Sequence, residues 1–303
     1  MCYFIYMLNN TMKQQLSVLK KEFDLLKVGK ESLISLIDDS ELPESVYNSN
    51  AIENSTLSLK ETETILLEMK ISRNVSPREI FEAKNLARTM AYIRNKMKET
   101  DLNKELILLL HQMLLGTIRD DIAGRFRKSG EYVRVATHIA PAPEKVENLI
   151  EEILLTYHSD FTSYFLDKIA RFHLAFESIH PFNDGNGRIG RVIVNFQLSK
   201  VGFPFIILRD KGKEVYYQAF QEYESQQSNK TMVKLIYLAL LESLHKRITY
   251  LKGESIIPLS EYVKDQSKSA SALFNAAKRQ HIPAFREKGV WKIGRESYSG
   301  KPL

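Results

Sequence analysis

The residues with the most chemistry per position lie in one run: His180, Pro181, Phe182, Asn183, Asp184, Gly185, Asn186, Gly187, Arg188, Ile189, Gly190 and Arg191. An imidazole titrates near neutral pH, so His180 can take a proton from a reacting group. Arg188 and Arg191 fall about one helical turn apart and carry forked donors suited to several phosphates. A carboxylate beside phosphates, here Asp184, suggests a divalent ion, and Mg²⁺ is the usual one. Glycines at the start of a helix let an anion approach unpaired N–H groups and the positive dipole end. The run therefore reads as a nucleotide-phosphate site with its own base.

Two elements must hold it. Ile169, Phe172, Phe176 and Ile179 precede the run with helical spacing, and Ile193, Val194, Phe196 and Leu198 follow it. The run is thus a tight loop between two helices, with its glycines at the start of the second. Gly185, Gly187 and Gly190 also satisfy the dinucleotide fingerprint G-x-G-x-x-G. That fingerprint needs a preceding strand and a βαβ unit, and the helical spacing before His180 supplies neither.

The run resembles the signature of Fic-domain proteins, His-Pro-Phe-x-(Asp/Glu)-Gly-Asn-Gly-Arg-x-x-Arg, at every defined position. The resemblance implies a mainly α, Fic-type helical bundle with a short β-hairpin flap. It also implies a protein adenylyltransferase that moves AMP from ATP onto a Ser, Thr or Tyr hydroxyl of a target protein. A second segment, Ser49, Asn50, Ala51, Ile52, Glu53, Asn54, is similar to the family's inhibitory helix, (Ser/Thr)-x-x-x-Glu-(Gly/Asn). In that group the glutamate pairs with the second motif arginine, here Arg191, and displaces the γ-phosphate. A carboxylate on that arginine occupies its phosphate fork. Ser49, Glu53 and Asn54 are the inhibitory residues so implied, within a helix at about 45–57.

Composition bounds the rest. At 303 residues, with 44% hydrophobic and 26% charged residues, the chain is of ordinary soluble globular type. One cysteine, Cys2, excludes an internal disulfide and suits a reducing compartment, so the expected location is cytoplasmic. Met1–Leu8 is too short for a signal segment, Met12 is an alternative start, and no run reaches the length of a membrane span. Of the net charge of +6, +5 falls in residues 256–303, with nine Lys/Arg against four Asp/Glu.

In chain order, residues 12–40 read as one helix with Leu16, Leu19, Phe23 and Leu26 on a stripe. Ser58 and Glu61 form a capping box for a helix to about Ile71, and Ser76, Pro77 and Glu79 open another to about Lys98. Asp101 is the expected cap of the next. From Gly124 to Val135 alternation and glycines suggest a hairpin, closed after Thr137, His138 and Ile139 by Pro141 and Pro143. By resemblance this is the flap, about 129–141, which edges the nucleotide through Val135, Ala136, Thr137 and His138 and docks the target by strand addition. Helices from about Pro143 to Tyr157 and Phe161 to Ile179 deliver the motif. Tyr216, Tyr217, Ala219 and Phe220 are similar to the family's Tyr-Tyr-x-Ala-Leu segment beside the nucleotide, one tyrosine being core. Glu224 stands near the place of a usual asparagine. A last core helix runs from about Thr231 to Tyr250. In 256–303, two short helices and a hairpin turning at Lys288-Gly289 resemble a small winged helix-turn-helix, which suits either DNA binding or docking.

The expected division is 1–100, an N-terminal helical region; 101–250, the Fic core with the motif at 180–191; and 256–303, a winged-helix-like α+β unit. The expected chemistry follows. Asp184 holds Mg²⁺ on the ATP phosphates; Gly185, Asn186, Gly187 and the turn through Ile189 and Gly190 cradle them. Arg188 and Arg191 grip the β- and γ-phosphates, and His180 is the catalytic base. Phe182 anchors the loop in the core and Asn195 makes a structural loop contact. Alternatives are removal of AMP with Glu53 orienting water, transfer from another donor such as UMP, and a DNA-binding regulator using the C-terminal unit. Self-modification and a homodimer stay open.

Overall fold

The computed structural model describes residues 9–70, 75–96, 99–135, 138–265 and 269–295. The fold is mainly helical with two small antiparallel sheets. In order, α1 is Asn10–Leu26, α2 Glu31–Ile52, α3 Leu59–Glu63, α4 Pro77–Lys96, α5 Lys104–Leu115, β1 Arg134–Val135, β2 His138–Ile139, α6 Pro143–Ser159, α7 Phe165–Ile179, α8 Asn186–Lys200, α9 Lys213–Gln226, α10 Lys230–Lys252, β3 Ser255–Pro258, α11 Leu259–Tyr262, α12 Ala270–Lys278, β4 Ala284–Glu287 and β5 Val290–Arg295. Cα packing groups Leu42–Ile236 as one compact unit and Asn9–Glu41 with Tyr237 onward as another.

In the first unit α7 packs on α6, α8 and α9, and α4 packs on α5 and α8. Leu110, Leu114, Phe172, Phe176, Phe182, Ile189, Ile193 and Phe196 share its buried core. α8 sits at the centre, with both motif arginines among its buried residues. Phe182 is fully buried, as its anchoring role requires. Asn195 ties α8 to the segment after it, accepting from Ile206 N at 2.8 Å and donating to Ile206 O at 3.2 Å. β1 and β2 pair antiparallel, with Arg134 opposite Ile139 and Val135 opposite His138.

In the second unit, β3, β5 and β4 form a sheet in that order, and Leu259, Ala277, Ala284 and Ile293 make a small core. Fully buried Arg247 reaches Asp38 at 2.5 Å and Glu41 at 2.7 Å. Lys246 bridges Glu41 and Glu287, each at 3.1 Å.

Several boundaries differ from those expected. The helix read over 12–40 is two, interrupted at Gly29, whose φ of 73° does not belong to a right-handed helix. Ser58 and Glu61 do form a capping box, but α3 passes into a π-helical turn at Thr64–Glu68 ending on Met69 with φ 56°; Ile71 lies outside the described residues. Asn103, not Asp101, caps α5, its side chain accepting from Leu106 N at 2.8 Å, while Asp101 pairs with Lys200 at 2.9 Å. Asp160 takes the N–H groups of Thr162 and Ser163, so α7 starts at Phe165 and not Phe161. β3 adds a strand that the alternation in 282–293 does not reveal.

Candidate active site

α7 stops at Ile179, and His180 caps it in the left-handed region, φ 50° and ψ 61°. A residue with a Cβ holds that conformation only where its surroundings insist. Here His180 N donates to Phe176 O at 3.0 Å, and its carbonyl accepts from Nε of Arg127 at 2.8 Å. Arg127 is buried and also donates to the carbonyls of Glu131 (3.0 Å), Pro141 (2.8 Å) and Ile179 (3.3 Å). Its backbone N–H donates to Pro181 O at 3.0 Å. One guanidinium thus fixes the base of the hairpin to the loop at His180. Burial pushes the His180 imidazole down to about 4, so it is neutral at pH 7 and able to accept a proton.

The loop beyond is rigid for equally local reasons. Phe182 stacks on His111 with centroids 3.7 Å apart and an interplanar angle of 6°. His111 Nδ1 accepts from Gly124 N at 3.0 Å, which leaves Nε2 to donate to Asp184 O at 3.0 Å. Burial pushes this imidazole too down to about 4. Asn186 closes the turn, accepting from Phe182 N at 2.9 Å and donating to Phe182 O at 2.8 Å. Gly185 caps α8 with φ 83°.

Arg191 gathers the segment from α2. Its Nε donates to Ser49 Oγ at 2.9 Å, and its Nη2 donates to Ser49 O at 2.8 Å and to Glu53 Oε1 at 2.9 Å. Nη1 lies 3.4 Å from the Tyr216 hydroxyl, which is 2.8 Å from His173 Nε2. A Cβ on Gly187 would collide with the Glu53 carboxylate, so Glu53 lies directly against the first turn of α8. Glu177 is half-buried nearby; desolvation, reinforced by Glu53, pushes its carboxyl up to about 8. α9 holds the end of α2 in place. Tyr217 Oη donates to Ile52 O at 2.8 Å, and Lys213 Nζ donates to Ala51 O at 3.4 Å and Asn54 Oδ1 at 3.3 Å. Asn54 itself takes φ 65°, ending the helix.

Arg188 is buried and faces away from Arg191's partners. Its Nη2 donates to Asp184 Oδ1 at 2.8 Å and its Nη1 lies 3.2 Å from Glu82 Oε1. The other oxygen of Asp184 accepts from Arg78 Nη2 at 2.6 Å. Among the described residues no three His, Cys, Asp or Glu side chains cluster as a metal site. Asp184 is the carboxylate of the loop itself, and both its oxygens are matched to arginines. That donor set fits Mg²⁺, which takes one or two carboxylates and completes its shell with water and substrate phosphates.

The expected site residues therefore fall as follows. Arg191 and Gly187 lie against Ser49 and Glu53, while Asp184 is held by Arg188 and Arg78 and Gly185 faces Leu114 and His111. Ile189 is fully buried in the core, and its N–H donates to Gly185 O at 3.0 Å. Gly190 is where α8 meets Glu177 and His173 of α7 at van der Waals contact. Tyr216 is buried against Arg191 and Tyr217 is half-exposed beside Ile52. Val135 is exposed on β1, and Ala136 and Thr137 lie outside the described residues. The ring nitrogens of His138 lie 2.8 Å from Ser178 O and 3.1 Å from the Glu224 carboxylate. Arg78, Glu82, His111 and Arg127 have no role in the sequence reading. Each comes from another element, and only Arg127, in a glycine-rich basic stretch before the hairpin, carries any local cue.

Helices α5 to α8, with the hairpin and the loop at His180, make up the stretch, residues 101–198, that matches the model of the Fic/DOC family. The protein adenylyltransferase Fic of Nematostella vectensis is 32% identical over 178 residues, 57% of this chain and 41% of that protein. The protein adenylyltransferase Fic of Drosophila melanogaster is 28% identical over 254 residues, 80% of this chain and 50% of that protein. The chain spans about half or less of the length of these curated relatives. A Fic-domain-containing signalling protein of Bacteroides thetaiotaomicron superposes with a TM-score of 0.72 at 25% identity, over 79% of this chain and 97% of that one. Fic-1 of Caenorhabditis elegans has the same fold, with a TM-score of 0.68 at 24% identity over 78% of this chain and 70% of that one.

Proposed function

We propose that this protein is a protein adenylyltransferase held off by its own Glu53. The observation that carries the reading is the Glu53 carboxylate on Arg191, against Gly187, a few residues from a neutral, half-buried His180. An anion sits where the start of α8 and a guanidinium together favour anions, and the position is that expected for an ATP phosphate. The curated relatives named as protein adenylyltransferases support the same reaction.

In the reaction, ATP places its phosphates along the first turn of α8. Arg191, released from Glu53, takes the γ-phosphate, and backbone N–H groups from Gly185 to Gly187 face the phosphate oxygens. A Ser, Thr or Tyr hydroxyl of the target, or of the protein itself, attacks the α-phosphorus. The bond to the bridging oxygen of the β-phosphate breaks, pyrophosphate leaves, and His180 takes the hydroxyl proton. Mg²⁺ held by Asp184 would neutralise phosphate charge. The remaining work is positioning and electrostatic stabilisation. Arg127 sets the His180 backbone, and Phe182, His111 and Asn186 set the loop. β1 and β2 would receive the target by strand addition, which reads main chain and demands little of its sequence.

Residues 256–303 are taken as a winged-helix-like unit, from the order strand, helix, helix, hairpin. No described helix is long and apolar enough to cross a membrane. With a single cysteine, that suits a cytoplasmic enzyme. The test is incubation with α-labelled ATP and Mg²⁺. Weak self-labelling is expected, stronger labelling for Glu53→Gly, and none for Glu53→Gly with His180→Ala. Equal labelling with and without His180 would defeat the assignment.

A further inference from the structure

Asp184 has both of its oxygens engaged. Arg188 Nη2 takes Oδ1 at 2.8 Å and Arg78 Nη2 takes Oδ2 at 2.6 Å. Glu82 completes a ring of alternating charge, receiving Arg78 Nε at 3.0 Å and Arg188 Nη1 at 3.2 Å on one oxygen. The two arginines differ in how they are held. The Arg188 side chain is 5% exposed and belongs to the interior of α8; the Arg78 side chain is 52% exposed, on the first turn of α4. Arg188 cannot leave without unpacking the helix. Arg78 can swing into water and exchange its two carboxylate contacts for hydration.

We infer that Arg78 is a resident counter-cation for Asp184, which a divalent ion must displace, and that it thereby sets the divalent-ion concentration at which the nucleotide site loads. Asp184 is the carboxylate the loop presents to a metal, and Mg²⁺ binds through a carboxylate oxygen. A guanidinium on Oδ2 and a divalent ion on the same oxygen exclude each other. Electrostatics favours the exchange only once nucleotide phosphates add their negative charge, since a lone carboxylate between two arginines is already neutralised. Arg78 therefore couples metal binding to nucleotide binding. Without it, the metal binds Asp184 more readily and depends less on the nucleotide. A half-exposed pair is weak, so the effect is on the order of threefold.

The inference rests on the proposed role of Asp184, and three proteins separate the two: Glu53→Gly, the same with Arg78→Gln, and the same with Asp184→Ala. Mn²⁺ binding in the presence of a non-hydrolysable ATP analogue is followed by the electron paramagnetic resonance signal of free Mn²⁺, with circular dichroism confirming each fold. The expected result is a midpoint lowered about threefold by Arg78→Gln and raised strongly by Asp184→Ala. If Asp184→Ala shifts the midpoint while Arg78→Gln leaves it unchanged or raises it, Arg78 is not a counter-cation, though Asp184 remains the metal ligand. If Asp184→Ala has no effect, the role of Asp184 falls and the inference with it.

Discussion

The Glu53 carboxylate fills the space that a side chain on Gly187 would need, while its Oε1 lies 2.9 Å from Nη2 of Arg191. On the proposed reading, a phosphate would have to compete with this carboxylate for one location defined by both a guanidinium and a backbone without a Cβ. Gly187→Ala should fill it permanently. In a Glu53→Gly background, where the carboxylate is gone, Gly187→Ala should still abolish binding of an ATP analogue in calorimetry. Binding at parental affinity would show that phosphates do not approach α8 at this turn.

Glu53→Gln keeps the shape of the side chain and removes its charge. Arg191 keeps its charge and can still donate to an amide oxygen, so what is lost is the ion-pair part of a half-exposed contact, about 0.5–1 kcal/mol. ATP-analogue affinity should therefore rise about threefold, less than for Glu53→Gly. Ser49→Ala should have a smaller effect, because Nη2 keeps the Ser49 carbonyl at 2.8 Å.

Arg127→Gln should separate positioning from binding. It leaves the carbonyls of His180 and Pro141 without the buried donor they have at 2.8 Å, at a cost of about 2–3 kcal/mol in thermal or urea unfolding. In the Glu53→Gly background labelling should fall at least tenfold while affinity for the ATP analogue stays within about twofold. Parallel loss of both would mean that Arg127 supports the whole site and not the base.

The pH profile has a defined sign. His180 stays neutral until the pH approaches about 4, so labelling by Glu53→Gly should be level from pH 8 to 6 and fall only below about 5. Stability moves differently. Above 6.5 neither folded nor unfolded chain protonates these rings; below it the unfolded chain takes protons that folded His180 and His111 refuse until about 4. The thermal midpoint should therefore drop between pH 6.5 and 4, and less so for His180→Ala. An acid limb of activity centred near 6.5 would place His180 in water.

The residues that sequence made legible are those whose chemistry is written in consecutive positions. His180 to Arg191 carries its own loop, cap and helix, and Ser49 to Asn54 its own spacing. What stayed hidden is contributed across elements. Arg78 and Glu82 look like an ordinary (i, i+4) surface pair on α4 until α8 brings Arg188 between them. His111 looks like a polar residue spoiling an apolar stripe until Phe182 stacks on it. The displaced boundaries have local causes that compete closely: Asp101 and Asn103 are both good caps, and Lys200 draws off the aspartate. Gly29 breaks the 12–40 run through its φ of 73°, which the spacing of Leu16, Leu19, Phe23 and Leu26 before it does not reveal.

Tyr217 and Lys213 hold the last turn of α2 largely by its main-chain carbonyls, Ile52 O and Ala51 O, so the segment is gripped whatever its side chains are. If Glu53 restrains the site as proposed, the restraint is part of the same covalent chain and acts at an effective concentration that no change in protein abundance can alter. Dilution would not relieve it and crowding would not deepen it. Relief would have to come from something that loosens α9's hold on those carbonyls or from enough nucleotide to outcompete a tethered anion, so the proposed activity would follow structure and nucleotide supply and not copy number.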